Sequence, residues 1–234
     1  TSMPQATPNI TQEPSEEPEE TEEPEETQNY MQELLDRVKT PAKDSGVRFS
    51  DLSGQVEVCF PLGFDEKGEP VYDEEAWDIA QLDMELPYGT KIKTTSFATA
   101  QSIFMLSYPD MTTFITKGEE DIWQLESDPS IDPRSKKPSA LKLLSGIAWV
   151  EFKNMMRDGS MSIEMSQAVA GIKGTTFVLE EDGTTSTLKV IEGKVEFTSK
   201  ATGESVDIEA GEMVSATQQG LGEVKAFDAN AETA

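Results

Sequence analysis

The side chains that could do chemistry in this chain are almost all carboxylates. The sequence has 45 Asp and Glu residues and no histidine, and Cys59 is its only cysteine. The lack of histidine removes the commonest general base and the commonest transition-metal ligand. A single cysteine allows neither an intrachain disulfide nor a multi-cysteine zinc site, and it has no histidine with which to form a thiolate pair. With no Gly-x-Ser-x-Gly nucleophile elbow either, the sequence predicts a protein that is not an enzyme and holds no cofactor.

Carboxylates alone could still form a calcium site. Calcium prefers hard oxygen ligands, and the segment from Asp65 to Glu75 is rich in them. The segment lacks the Asp-x-Asp-x-Asp-Gly spacing of the known calcium loop, and a solvated hairpin or omega loop is the simpler interpretation. We therefore predict no metal ligand, and we keep a calcium-stabilised, adhesin-like module as one alternative.

Three tryptophans raise the question of sugar binding, because exposed aromatic rings can stack on carbohydrates. Trp149 lies between Ile147 and Glu151 in a strand pattern that favours a core position. Trp77 lies in the acidic segment and is the better surface candidate. A cell-wall or carbohydrate-binding domain that uses Trp77 is thus a second alternative.

The charge of the chain restricts its partners. Lys and Arg total 19, so the formal net charge is -26. Such a chain repels nucleic-acid phosphates and anionic membrane surfaces. No apolar run approaches the roughly 18 residues that span a bilayer, so we expect membrane attachment only through a segment outside this sequence.

The elements that position these residues change along the chain. Residues 1–28 are rich in Pro, Glu and Thr, a composition that predicts a disordered linker. In residues 29–40 the apolar side chains recur at helical spacing (Met31, Leu34, Leu35 and Val38), and the spacing predicts a short amphipathic helix that stops at Thr40, before a proline. Residues 46–216 are expected to form one β domain, and residues 217–234 a C-terminal tail.

From Val47 onward the hydrophobic period is two, which indicates strands. Residues 73–85 are the exception, since their spacing suits a helical turn or a packed loop. The predicted strands are 54–60, 90–95, 101–107, 111–116, 120–126, 141–153, 161–165, 175–181, 185–191, 194–199, 204–209 and 212–216.

Glycines punctuate the C-terminal strands every eight to ten residues, as in a meander or a coil. Asp182 and Gly183 separate two strands and predict a two-residue type I′ hairpin, which needs positive φ. A glycine followed by an apolar-acidic-apolar strand also recurs three times, at residues 53–58, 145–152 and 192–197. The predicted fold class is mostly β, with Gly-punctuated antiparallel strands that form a β-sandwich or a β-roll.

One set of motifs resembles the core of bacterial FecR domains. In that family a Gly-[Val/Ile]-[Arg/Lys]-Gly-Thr-x-Phe segment precedes a strand, a Val-x-Glu-Gly-x-Val-x-Val strand follows, and an Ala-Gly-[Glu/Gln] turn closes the unit. Residues 161–216 resemble this core closely, and residues 46–160 resemble its looser first half. The positions that match the motif, which the resemblance implies are structural, are Gly171, Gly174, Thr175, Phe177, Gly183, Glu192, Gly193, Val195 and Gly211.

The resemblance implies a location and a kind of role. The family is named after periplasmic signal transducers that relay the state of an outer-membrane iron receptor to a sigma factor. This sequence shows no sigma-binding helical domain and no receptor-contacting module, so only the domain carries over. We therefore expect a non-catalytic, extracytoplasmic module, in the periplasm or on the cell surface, for protein recognition, sensing or scaffolding. Its partner would be a protein or a cell-envelope component, and not nucleic acid.

Overall fold

The computed structural model describes residues 25–95, 101–109, 113–126, 141–153, 161–172 and 174–229. These residues form one helix near the N-terminus followed by strands, as the mostly β prediction requires. The elements in chain order are α1 (Glu25–Arg37), β1 (Asp44–Ser53), β2 (Gln55–Cys59), β3 (Gly63–Phe64), β4 (Pro70–Val71), β5 (Asp78–Ile79), β6 (Leu86–Pro87), β7 (Lys91–Thr95), β8 (Ser102–Ser107), β9 (Thr113–Leu125), β10 (Leu141–Lys153), β11 (Met161–Glu164), β12 (Ala168–Ile172), β13 (Thr176–Glu181), β14 (Ser186–Glu192), β15 (Lys194–Ser199), β16 (Ser205–Glu209), β17 (Glu212–Thr217), β18 (Gly220–Leu221) and β19 (Lys225–Ala226).

Helix α1 differs from the predicted helix at both ends. It begins four residues before the predicted start at residue 29 and ends at Arg37, before the proline that was expected to stop it. The earlier end has a clear cause, because the backbone N–H groups of Lys39 and Thr40 both bond the carbonyl oxygen of Phe64 (2.7 and 3.1 Å). The amphipathic face is narrow, since Leu34 is buried while its neighbour Leu35 is exposed.

Seventeen strands of the described residues form one hydrogen-bonded sheet that the long strands β9 and β10 divide into two arms. The N-terminal part of β9 pairs with β8, and the C-terminal part of β10 pairs with β13; with β1, β14 and β17 they form the first arm. The other ends of β9 and β10 pair with β7 and β11; with β2, β5, β12, β15 and β16 they form the second arm. Both arms contribute buried side chains to one core. This curled, largely antiparallel sheet fits the predicted sandwich or roll.

Glycines allow the chain to pass from one arm to the other. Gly54 joins β1 to β2, Gly193 joins β14 to β15, and Gly146 lies inside β10 where that strand changes arm. Their φ angles are 79°, 86° and 101°, values that side chains with a Cβ rarely adopt. These are the three glycines of the recurring sequence pattern, so the repeat marks crossovers between arms.

A row of phenylalanine rings crosses the inner face of the first arm. The rings lie on β1, β8, β9, β10 and β13, with neighbouring centroids 5.2 to 6.4 Å apart, within the range of favourable aromatic contacts. Trp123, on the part of β9 that belongs to the second arm, contacts the central ring at 5.1 Å. The row, Phe49, Phe104, Phe114, Phe152 and Phe177, therefore ties the N-terminal strands to the FecR-like core.

Several strand predictions need correction. The two strands predicted at 111–116 and 120–126 are parts of one strand, β9, which stays paired to β10 through an irregularity near Glu120 (φ 54°). Strands β1 and β12 were not predicted as strands. Residues 73–85 form turns and the short strand β5, and Ala80 and Met84 pack against the core, so the packed loop of the two alternatives fits and the helical turn does not. Trp149 is half-buried rather than in the core, because Ala148 and Val150 take the inward positions.

The turn at Gly183 is also longer than predicted. Strands β13 and β14 end their pairing at Glu181 and Ser186, so the loop has four residues, 182–185, and not two. Gly183 has the expected positive φ, 85°. Farther along, the segment that we set apart as a tail adds strands β18 and β19, which both pair with β17.

Candidate functional site

Three residues of the FecR-like motif meet where β12, β13, β14 and β15 change arms. Gly174 has a φ of 68° and leads into Thr175, whose side chain is buried. A Cβ on Gly193 would lie 2.6 Å from the Cγ2 atom of Thr175, closer than real Cβ contacts come. The glycine at this position thus leaves room for the threonine. The Oγ1 atom of Thr175 is buried and has no hydrogen-bond partner among the described residues.

The other motif positions have separate roles in the sheet. Phe177 and Val195 are fully buried in the core. Glu192 is exposed, and the backbone of Gly171 has an ordinary φ, with no atom closer than 3.6 Å to a Cβ placed there. Gly211 has a φ of 83° and donates its N–H to the carbonyl oxygen of Val190 (2.9 Å). The motif residues therefore shape the backbone of the sheet and present no common set of functional groups.

A buried carboxylate, Glu181, fixes the loop that contains Gly183. Its Oε1 atom accepts hydrogen bonds from the hydroxyl of Ser166 (2.7 Å) and the N–H of Gly183 (2.6 Å). Its Oε2 atom accepts bonds from the N–H of Ser166 (2.9 Å) and the hydroxyl of Ser186 (2.7 Å). Four neutral donors thus surround one carboxylate. They tie the turn between β11 and β12 to the turn between β13 and β14.

A second buried carboxyl, Asp121, has far fewer partners. Its Oδ2 atom accepts a hydrogen bond from the indole N–H of Trp123, while Oδ1 has no partner among the described residues. Its backbone N–H donates to the hydroxyl of Thr94 at 3.3 Å. Burial raises the pKa of Asp121 to about 7, and the hydrogen bond from Trp123 opposes that rise only in part.

Two side chains that could act as nucleophiles, Cys59 and Tyr72, are held in unreactive surroundings. Burial raises the pKa of the Cys59 thiol to about 11, so the thiol is protonated at neutral pH. The thiol lies 3.4 Å from the carbonyl oxygen of Asp73, to which it donates. The hydroxyl of Tyr72 donates to the carbonyl oxygen of Gly89, and burial raises the pKa of Tyr72 as well.

The acidic segment between residues 65 and 75 spreads its carboxylates over separate contacts. Asp65 caps its own turn by accepting the N–H groups of Lys67 (2.8 Å) and Glu69 (3.0 Å), which lowers the pKa of Asp65. Glu74 pairs with Lys91 at 2.7 Å. No group of three or more acidic, histidine or cysteine side chains that could hold a metal ion occurs in the part of the chain that the structure describes.

Trp77, the predicted surface residue, is half-buried beside an edge strand. Its indole N–H donates to the carbonyl oxygen of Glu74 (3.0 Å), and the ammonium group of Lys93 lies 4.3 Å from the ring centroid. One face of the indole is therefore covered by a lysine. Nearby, Ile79 in β5 is 61% exposed, the largest exposed fraction among the large hydrophobic side chains that the structure describes.

Sequence analysis did not single out either buried carboxylate. Asp121 follows Glu119 and Glu120, and a run of three acids in a strand pattern is more typical of an exposed turn. Glu181 is adjacent to Asp182 and Gly183, which the sequence assigns to a turn. An acidic residue beside a turn is expected to be exposed. The one available signal was the strand period, which places Glu181 on the same face as the core residue Phe177.

Comparison with known proteins gives limited structural matches. No curated protein matches this chain. Two crystal structures of a "putative anti-sigma factor" from Parabacteroides distasonis ATCC 8503 are similar over part of their length. Both are 18% identical with a TM-score of 0.40; the matches cover 55% and 56% of this chain and 57% and 58% of theirs. This chain thus spans little more than half of either protein.

A family model gives a more direct result. Residues 124–196 match the model described as FecR protein. The match begins near the end of β9 and ends in β15, so it includes the crossover of Gly174 and Gly193 and the carboxylate of Glu181. No helix in the described ranges is long and apolar enough to cross a membrane. The resemblance seen in the sequence is therefore confirmed over residues 124–196, which match the FecR family model.

Proposed function

We propose that this chain is a non-catalytic FecR-like β module that recognises another protein at the bacterial cell envelope, as a sensor or a scaffold. The observation that carries the proposal is the position of the family match. Residues 124–196 supply the centre of the sheet, from the end of β9 to β15, rather than a peripheral addition. The family's regulatory role is thus the best guide to the role of the whole sheet. We further propose that the module works in the periplasm or on the cell surface.

The chemistry of the described side chains supports recognition rather than catalysis. The one thiol is protonated at neutral pH because it is buried. The most strongly buried carboxylate network, around Glu181, uses all of its acceptor capacity on neutral donors within the fold. Groups held in this way stabilise the structure and leave no free atom for a substrate.

The edge of the second arm offers a surface for recognition. Strand β5 pairs with β2 on one side, and no other strand of the described residues pairs with it. An unpaired strand edge can accept an extended segment of another protein by β-augmentation. Ile79 provides an exposed apolar side chain on this edge, and Asp78 beside it is also exposed.

Site-specific photo-crosslinking in the native host tests the proposal. A photoreactive amino acid at position 79 would label a partner on the β5 edge, and the same group at Glu209 in β16 would label a partner on the opposite edge of the second arm. We expect one discrete protein adduct from position 79 and none from position 209. Adducts from neither edge, or cell fractionation that recovers the chain in the cytosol, would contradict the proposed function.

A further inference from the structure

Asp121 lies where the paired strands β9 and β10 pass from the first arm to the second. The pairing is irregular there, with register shifts on both sides of Ser145. Glu120 has a φ of 54°, which is strained for a residue with a Cβ, and Gly146 opposite it has a φ of 101°. A Cβ on Gly146 would lie 2.5 Å from the Cα atom of Asp121. The crossover is therefore tightly packed around this one side chain.

Among the residues that the structure describes, no charged group that could neutralise an ionised Asp121 faces it from the neighbouring strands. On β7 its contact is the neutral hydroxyl of Thr94, while Lys93 bonds Glu57 at 3.0 Å and stacks on a tryptophan ring. On β13, the carboxylate of Glu181 lies beyond Gly146 and is already surrounded by its own donors.

The neighbouring side chains that the structure describes on β8 and β9 are also neutral or turned to solvent. Ser102 on β8 lies opposite Gly118, and its hydroxyl is bonded to the carbonyl oxygen of Thr95 (2.6 Å). Glu120 is exposed. Among the described side chains, Trp123 donates to the carboxyl group. An ionised Asp121 would thus be a buried negative charge with one side-chain donor, a state that proteins avoid.

We propose that Asp121 is a proton-operated latch of the β9–β10 crossover. The crossover is packed while the carboxyl group is protonated, and it opens locally when the group loses its proton and reaches water. The strained backbone of Glu120 favours the opening, because the strain is relieved when the irregular pairing separates. The latch is a property of the fold and does not depend on the proposed function.

The direction of the pH dependence follows from the two states. In the packed state burial raises the pKa of Asp121 to about 7, from an ordinary value of 3.8 that an exposed side chain would regain on opening. Between these values the open state releases a proton that the packed state retains. The equilibrium constant for opening therefore rises about tenfold per pH unit up to about pH 7 and is constant above it. The chain has no histidine to titrate in this range.

Hydrogen exchange of the Trp123 indole N–H, followed by NMR on the whole chain between pH 4.5 and 8.5, tests the latch. The protection factor, which removes the intrinsic pH dependence of exchange, should fall about tenfold per pH unit up to about pH 7 and then stay constant. The Asp121→Asn variant keeps an acceptor for the indole, and its protection factor should not fall in this way as the pH rises. In Glu126→Gln the fall should persist; this control is needed because burial also raises the pKa of Glu126 to about 7.

Local opening is distinguished from global unfolding by the backbone amide of Leu188, in the centre of β14. Trp123 should be less protected than Leu188 at every pH, since the crossover opens without the rest of the sheet. Equal protection of the two groups would mean that only global unfolding exposes Asp121, and the latch would be wrong. A pH-independent protection factor for Trp123 in the unaltered chain would also overturn it, even if Asp121→Asn failed to fold.

Discussion

Two buried carboxyl groups flank Gly146, and the fold treats them in opposite ways. Glu181 pairs across from Gly146 on β13, inside the FecR segment, and it has four hydrogen-bond donors. Asp121 packs on the other side of Gly146, just before that segment, and has a single side-chain donor. Both are almost fully inaccessible. The comparison teaches that the number of donors, and not burial itself, decides whether a buried acid stabilises a fold or strains it.

The difference has a structural origin in the turns beside each group. Next to Glu181, the loop at residues 182–185 and the turn at Ser166 present backbone and hydroxyl donors that point at the carboxylate. Next to Asp121, the chain continues as strand on both sides, and the Asp121 N–H donates to the hydroxyl of Thr94. A strand interior offers few free donors. The carboxyl group on the continuous strand β9 is therefore the one left short of partners.

The largest expected loss of stability comes from removing the carboxylate of Glu181, which accepts four hydrogen bonds. Glu181→Ala leaves four donors without their acceptor, and we expect the free energy of unfolding to fall by roughly 4 kcal/mol, since each unsatisfied buried group costs about 1–3 kcal/mol and some regain water. Urea unfolding followed by circular dichroism measures the change. The hydroxyl groups of Ser166 and Ser186, which donate to this carboxylate, should lose their fixed orientation at the same time.

Glu180→Ala is the matched control for this substitution. Glu180 is the preceding residue on β13 but points outward, where it pairs with Lys189 at 2.6 Å. A partly exposed ion pair contributes only about 0–1 kcal/mol. If both substitutions cost the same, the network around Glu181 does not stabilise the loop as we infer.

The next largest effect is on the pH dependence of stability, and it comes from Asp121, the buried carboxyl group with few hydrogen-bond donors. Because the pKa of Asp121 is raised in the folded chain to about 7, the folded state binds more protons than the unfolded state between pH 3.8 and 7. Stability is therefore highest at low pH within this range and falls as the pH rises. At 1.36 kcal/mol per pKa unit, the contribution of Asp121 makes the chain roughly 3 kcal/mol less stable at pH 8 than at pH 5.

Urea unfolding at the two pH values, in the unaltered chain and in Asp121→Asn, measures the contribution of Asp121 to the pH dependence of stability. The general repulsion of an acidic chain also weakens the fold as pH rises, and it is common to both proteins. The pH dependence that disappears in Asp121→Asn is the part due to this carboxyl group. An identical pH dependence in the two proteins would show that Asp121 is solvated in the folded state.

Sequence reasoning succeeded where a local pattern determines the structure. Strand β10 was predicted at its observed ends, 141–153. The glycines at 54, 146 and 193 were recognised as a repeat, and each has the positive φ that only glycine adopts easily. The FecR motif was found for the same reason, since its glycines have local backbone roles.

Sequence reasoning failed where the pairing of strands that are distant in the sequence determines which side chains are buried. The strand period assigned Trp149 to the core, yet the irregular pairing at Ser145 shifts which residues of β10 face inward. The same irregularity keeps β9 continuous through three acidic residues and buries Asp121. Asp121 also contacts Thr94 of β7 and Gly146 of β10, so no pattern within β9 could have predicted its burial.

A smaller effect tests another crossover, the one at Gly193 between β14 and β15. Gly193→Ala forces a Cβ to within 2.6 Å of Thr175 at a position with positive φ. We expect a loss of about 2–3 kcal/mol, from the conformational strain and the displaced threonine together. Thermal and urea unfolding measure it. The double substitution Gly193→Ala with Thr175→Ser removes the contacting methyl group and should recover part of the loss; no recovery would mean that crowding by that methyl group is not a cause.

The smallest effect concerns Gly183, whose N–H is one of the four donors to Glu181. A Cβ at this position would have no atom within 4 Å, so Gly183→Ala carries only the conformational cost of a φ of 85°, about 1 kcal/mol. Gly203 has a φ of 73° and equally open surroundings but no bond to a carboxylate, which makes Gly203→Ala the matched control. Because the alanine N–H can still donate to Glu181, we expect the two substitutions to lower the free energy of unfolding equally in urea. A loss at Gly183 that exceeds the loss at Gly203 by more than 1 kcal/mol would mean that the loop relaxes and gives up its bond. That result would make the carboxylate network depend on a single φ angle, and the contrast between Glu181 and Asp121 would then lie in loop geometry and not in the number of donors.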